Sequence, residues 1–329
     1  MQQSYRWRKP FFVAFLLLLV AVSFLGLYFW QRHDQNMVVP PLPEDERDRV
    51  YYKNGWYARR DDLDTILLIG LDQYSTTVSD PDSYINNQQA DFLLLMVIDK
   101  ADKSFFAIHL NRDTMTEIDR LGLAGSRIGS FQGQLALAHT YGSGGRDSCR
   151  NTAYAVSRFL YDTPVAHYVS LTMDAIPALN DLVGGVVVHV EDDFSAIDPS
   201  IIQGTEQRLH GEQALRFVRA RGSVSDESNL NRMKRQRDYM DGLYRQLLLS
   251  LNSDESFAAR LGMSLADHIV SDLTTDQLVA LADRIKDYHF KKIEIIEGEA
   301  ALGEEFMEFH ADEDALKDMV IRLFYEPTD

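Results

Sequence analysis

Asp72 follows the apolar run TILLIGL, and Asp91 opens the run FLLLMVID. Ligands of open α/β sheets gather at the carboxyl ends of strands, which suits Asp72. Two carboxylates beside a phosphate are a common way to hold Mg²⁺. Asp91 is also the candidate to take a proton from an attacking hydroxyl. Read without a partner, the two acids would serve as turn and cap residues. Arg112-Asp113-Thr114 follows a third apolar run, FFAIHL, so Arg112 either reaches the same crevice or forms a surface turn.

The matching cations come later. The segment from Arg208 to Arg245 holds nine arginines and lysines against five acids, in a chain whose formal charge is −17. A local basic patch in an acidic protein suits an anionic ligand. Arg219 and Arg221 sit two apart in VRAR, and in extended backbone they would point the same way. Arg232 and Gln236 sit four apart in NRMKRQ and share a helix face. Together they could clamp a diphosphate through charge-assisted, bidentate bonds. The alternative is a solvated basic helix face.

These groups need elements to position them. Residues 65–70, 92–99, 105–110, 167–171, 186–191 and 291–296 read as strands. Residues 132–141, 152–160, 173–182, 230–251 and 312–325 read as helices, and Thr274 with Gln277 forms a capping box ahead of another. Apolar strands alternating with helices predict an α/β fold with its sheet covered on both faces. The overall negative charge argues against nucleic acid as a partner. A single cysteine, Cys149, excludes an internal disulfide and a cysteine-rich zinc site. A Cys149–histidine nucleophile is conceivable, but a packed, inert thiol is the plainer reading. GSGGRD at 142–147 lacks the GK[ST] of a P-loop and reads as a helix C-terminus and loop.

Residues 11–30 are an uncharged apolar run of 20 residues, about 30 Å as a helix, the thickness of a bilayer core. Arg6, Arg8 and Lys9 precede it, so the positive-inside rule places the N-terminus in the cytoplasm. The exit, LYFWQRHD, lacks the small residues of a signal-peptide cleavage site. The expectation is a stub at 1–10, one uncleaved single-pass anchor at 11–30, a stalk at 31–63, and an extracellular domain at 64–329.

The order LLIGLD, QADFLLL, HLNRDT, LALAHTYGSGG, DLVGGVVVHV, LHGEQALRFVRAR and NLNRMKRQ, behind an N-terminal anchor, resembles the LytR-CpsA-Psr family of cell-envelope proteins. The resemblance is clear over residues 64–250. It implies a three-layer α/β/α fold with a central mixed sheet, a groove for a polyprenyl chain and a Mg²⁺-dependent phosphotransferase. Such an enzyme moves a glycopolymer, of teichoic acid or capsular polysaccharide type, from an undecaprenyl diphosphate carrier to peptidoglycan at the membrane. By motif, Asp72 and Asp91 resemble the metal-side acids. Arg112 resembles a catalytic, diphosphate-binding arginine, and Arg219, Arg221, Arg232 and Gln236 the rest of the diphosphate set. The sequence departs from the family pattern at Gln89 and Gln134, where cations are usual, at Asn229, where an acid is usual, and at Asn111, where proline is usual. A non-catalytic module that binds anionic wall polymer or polyprenyl-phosphate lipid is the alternative.

Overall fold

The computed structural model describes residues 49–72, 78–80, 84–220, 224, 229–254 and 256–328. The expected anchor and Arg221 lie outside them. The chain divides into two compact units, residues 1–58 with 327–329, and Arg59–Glu326. In the first, the described part is a hairpin that pairs Tyr51 with Trp56.

The second unit is built on a six-stranded mixed sheet. Its strands are β1 (Leu63–Leu71), β2 (Ala90–Asp99), β3 (Ser104–Leu110), β6 (His167–Thr172), β9 (Ile269–Ser271) and β10 (His289–Ile295). Their order across the sheet is β9-β6-β1-β2-β3-β10. The β6–β1 and β3–β10 pairs are parallel and the other three antiparallel. Outside this sheet, β4 (Met115–Leu121) and β5 (Arg127–Gln134) form a hairpin, as do β7 (Val186–His189) with β8 (Glu206–Leu209) and β11 (Gly298–Leu302) with β12 (Met307–Ala311).

The central strands are apolar throughout because both faces are covered. Successive side chains alternate between faces. Leu67, Ile69 and Leu71 pack with Cys149 and Val156 of α1 (Arg146–Phe159) and with Leu316 and Val320 of α7 (Glu313–Phe324). Ile66, Leu68 and Met96 face the other way. They pack with Tyr244 of α4 (Asn229–Ser253) and with Leu281 and Ile285 of α6 (Thr275–Ile285). A further apolar cluster joins α2 (Ile176–Leu182), α3 (Glu212–Arg219), α4 and α5 (Phe257–Leu265) through Leu179, Phe217, Leu243 and Leu265. The mixed α/β sheet expected from the sequence is thus present, and the capping box at Thr274 and Gln277 is formed.

Three local expectations are corrected. Residues 132–141 are not one α-helix. Strand β5 runs to Gln134 and a six-residue 3-10 helix, Leu135–Thr140, follows it. The helical reading therefore holds for 135–140 in this tighter form, with Leu135, Ala136 and Ala138 buried. The glycine-rich 142–145 segment leads into α1, with Gly145 at its N-cap, rather than only ending a helix. Finally, VRAR is not extended at Arg219, which is the last residue of α3.

Candidate functional site

A backbone irregularity creates the site. Along β1 and β2, Gly70 pairs with Phe92 but Leu71 pairs with Ala90, so Asp91 is the extra residue of a bulge. Bulges re-aim the side chain they carry. Gly70 is required here because a Cβ on it would lie 2.8 Å from Phe92 Cβ. Asp72 is one residue past the end of β1. Because β1 and β2 are antiparallel, the end of one adjoins the start of the other, and the two acids share a cleft.

That cleft, of about 440 Å³, is lined by Asp72, Asp91, Met173, Arg219 and Arg232. Arg219 Nη2 lies 2.6 Å from Asp72 Oδ1. Arg232 is buried in α4 and points Nη2 at the Asp91 carbonyl oxygen, 3.5 Å away. Arg112 follows β3, which runs antiparallel to β2, and its guanidinium forms an ion pair with the Asp91 carboxylate. Four sequence-predicted residues therefore line one cleft, and Arg112 is ion-paired to one of them. Gln236 is placed differently. It is buried one turn beyond Arg232, its amide donating to the Val218 carbonyl at 3.5 Å, and it lines an adjacent apolar cavity instead.

The cavity measures about 240 Å³. Leu68, Gly70, Phe92 and Leu171 form its sheet side, and Leu179, Val218, Met240 and Leu243 its helical side. Met173 lines both cavity and cleft, which makes them neighbours. Consecutive residues of α3 divide the work, with Val218 in the apolar wall and Arg219 in the charged one. The end of α3 is held by Arg235, whose side chain donates to the carbonyls of Phe217 (3.2 Å) and Ala220 and pairs with Asp192. Carbonyls at a helix C-terminus need such external donors. Arg235 thereby fixes where Arg219 begins.

The four departures noted in the sequence all surround the Arg112 turn. Gln89 Oε1 accepts from Arg112 Nη2. Gln134 Nε2 donates to Asp113 Oδ1 at 3.1 Å and to the Met307 carbonyl at 2.8 Å. Asn229 Nδ2 donates to Asn111 Oδ1 at 2.7 Å, and the same oxygen accepts from the Asp113 amide at 3.0 Å. Sequence reasoning missed Met173, Gly70, Arg235 and this Asn111–Asn229 contact. A glycine inside an apolar strand was the one available signal of a bulge.

Cys149 does meet a histidine, with Sγ 3.7 Å from His139 Nε2. Both are buried, and burial pushes the thiol up to about 12 and the imidazole down to about 4. A neutral thiol beside a neutral imidazole in the core has no path to substrate, so the pair is packing.

The two acids suit Mg²⁺, which takes one or two carboxylates and completes its shell with water and substrate phosphates. Asp72 Oδ1 is buried and makes no aligned hydrogen bond. No cluster of three acids, histidines or cysteines that could hold a metal occurs among the described residues, which argues against an all-protein cage.

Comparison with known proteins bears on the family and the fold. The polyisoprenyl-teichoic acid–peptidoglycan teichoic acid transferase TagU of Enterococcus faecalis is 28% identical over 218 residues, 66% of this chain and 64% of that protein. The corresponding TagV of Bacillus subtilis is 25% identical over 238 residues, 70% of this chain and 55% of that protein. The chain thus spans less than two thirds of the length of these relatives. Among solved structures, TagT bound to LIIa-WTA superposes with a TM-score of 0.60 at 20% identity, covering 80% of this chain and 90% of the other. B. subtilis TagV superposes with a TM-score of 0.60 at 20% identity, covering 80% and 97%. At such identity the superpositions speak for the fold. The LytR_cpsA_psr family profile matches residues 40–322, most of the sequence, and the chain belongs to that family.

Proposed function

We propose that this protein is a membrane-anchored phosphotransferase. It moves a glycopolymer from a polyprenyl diphosphate carrier, undecaprenyl in type, to peptidoglycan. The observation that carries the reading is the contact, through Met173, between a charged cleft and an apolar cavity of about 240 Å³. A lipid diphosphate has the same two-part chemistry. The transferase names of its relatives support the choice of donor and acceptor.

Phosphoryl transfer asks the protein chiefly for positioning and for neutralising oxygen charge. In this reading Arg219 and Arg232 hold the diphosphate, and the cavity holds the first units of the lipid. Arg221, by its place in the motif, joins them. Gln236 borders the cavity and orients the lipid end of the ligand. A sugar hydroxyl of the acceptor attacks the phosphorus that bears the glycopolymer, and the bond from that phosphorus to the bridging oxygen breaks. Polyprenyl phosphate leaves, and the hydroxyl proton passes to a carboxylate, assigned to Asp91. Arg112 holds that carboxylate in place. Mg²⁺ on Asp72 and Asp91 would supply further charge neutralisation on the phosphate oxygens. The anchor assigned to residues 11–30, with the C-terminal domain outside the cell, ties the protein to the membrane that carries the lipid donor.

The test is reconstitution with lipid-linked glycopolymer, peptidoglycan oligomer and Mg²⁺, with released polyprenyl phosphate measured. Wild type should turn over and Asp91→Ala should not. Tight donor binding with no release under these conditions would replace the enzyme with a binding module.

A further inference from the structure

Both acids of the cleft are occupied by arginines of the same site. The two contacts are not alike. Arg112 and Asp91 are nearly buried, with side-chain exposures of 11% and 14%. Arg112 also bonds Gln89 and lies 3.4 Å from Asp113. Asp91 and Gln89 both hold this nearly buried guanidinium, with Asp113 beside it but not hydrogen-bonded to Nε, so the pair is a fixed part of the site. Arg219 and Asp72 are half exposed, at 51% and 44%. Their closest atoms are 2.6 Å apart, yet Asp72 Oδ1 makes no aligned hydrogen bond. An unaligned contact between two half-exposed side chains is easily broken, although Asp72 Oδ1 itself is buried.

In the proposed reaction, Asp72 and Arg219 need different partners. A carboxylate oxygen turned to a guanidinium is not turned to a metal ion. A guanidinium turned to a carboxylate does not give the same N–H groups to phosphate. We propose that the Asp72–Arg219 ion pair is an exchange contact that couples cation binding to diphosphate binding. A divalent cation that takes Asp72 releases Arg219 to the diphosphate. A diphosphate that draws Arg219 away uncovers Asp72 for the cation. Each ligand then raises the affinity for the other by the same factor, as linkage requires. The Arg112–Asp91 pair, made through Asp91 Oδ1, keeps that carboxylate oriented, and the cation and the hydroxyl proton are assigned to its second oxygen. This inference rests on the functional reading above and adds to it a coupling between its two ligands.

The test is equilibrium binding, with no turnover. Free Mn²⁺ is followed by electron paramagnetic resonance, with and without farnesyl diphosphate, on wild type, Arg219→Gln and Arg216→Gln. Arg216 is on the same helix, pairs with Asp198 rather than Asp72, and controls for loss of one charge. In wild type, farnesyl diphosphate should tighten Mn²⁺ binding about tenfold or more, within the usual range of coupling between sites. In Arg219→Gln, Mn²⁺ alone should bind several-fold tighter, and the coupling should fall below about threefold. Arg216→Gln should match wild type in both. Arg219 is half exposed, so its variant should keep the wild-type melting temperature, and Arg216→Gln, which leaves Asp198 its Ser200 bonds, is titrated well below its own melting temperature. If Arg219→Gln keeps the full wild-type coupling, direct attraction between metal and phosphate explains it and the exchange is wrong. If wild type binds both ligands without coupling, the exchange is likewise wrong while the functional reading stands. If wild type binds neither, both fall.

Discussion

Asn229, the first residue of α4, donates from Nδ2 to Asn111 Oδ1 across 2.7 Å, although 118 positions separate them in the chain. Asn111 is buried and its oxygen also accepts from the Asp113 amide. One side-chain oxygen therefore joins the turn that carries Arg112 to the helix that carries Arg232. The spacing of these two cations is set by this bond and by sheet register.

Breaking that bond should loosen the anion site. Asn111→Leu removes an acceptor used twice and should cost about 1–3 kcal/mol of stability, as unsatisfied buried donors do. Asn111→Asp keeps the oxygen and should retain donor binding. Asn229→Leu should weaken binding of a polyprenyl diphosphate in wild type but add nothing in an Arg232→Ala background, since it acts by positioning the helix that carries that arginine. Additive losses in calorimetric titrations would show that Asn229 is only a structural residue.

The bulge at Gly70 has no room for a methyl group. Gly70→Ala would press a Cβ against Phe92 Cβ, an atom close to the backbone that cannot swing aside. A destabilisation of about 1–3 kcal/mol is expected from such overpacking, with Asp91 displaced. Urea denaturation with a wild-type midpoint would show that β1 and β2 adjust freely.

The apolar cavity should distinguish lipid from headgroup. Met240→Trp narrows it without touching the cleft residues. Affinity for long-chain polyprenyl diphosphate should fall by about tenfold or more, roughly the worth of a few buried methylene groups. Affinity for inorganic pyrophosphate should stay the same. Equal loss for both ligands would place the lipid elsewhere.

Two buried histidines predict a pH dependence of stability. Burial, with Arg237 and Arg232 nearby, brings His109 down to about 3, and burial brings His139 down to about 4. The folded state keeps both neutral while the unfolded chain protonates near the ordinary value of 6.5. Below that value the unfolded state holds more protons, so stability falls as pH drops toward about 4. The slope should reach about 1.4 kcal/mol per pH unit for each histidine. Denaturation midpoints at pH 7.5 and 5 test this, and His109→Gln should flatten part of the slope.

Cys149 should be silent in the folded protein. Its thiol is buried and held neutral, so alkylation at pH 8 should require denaturant. Cys149→Ala should keep the proposed transferase activity. Rapid labelling of the native protein would contradict the packing described.

Much of the frame was legible in the sequence because burial writes itself into residue type. Strands covered on both faces must be apolar throughout, so β1, β2 and β3 stand out, and the ends of those runs locate Asp72, Asp91 and Arg112. The four-residue spacing of Arg232 and Gln236 likewise fixed a shared helix face. Other features depend on contacts between distant segments, which no local pattern encodes. The bulge at Asp91 arises from the register of two strands. Gln236 faces apolar space, and Arg232 faces Asp91, because α4 crosses the sheet at that position. Arg219 ends a helix instead of an extended segment because Arg235 satisfies the carbonyls of Phe217 and Ala220 there. Asn111 and Asn229 are ordinary polar residues in sequence, and only the fold makes them partners, since a hydrogen bond is decided by a distance of about 3 Å and not by position along the chain.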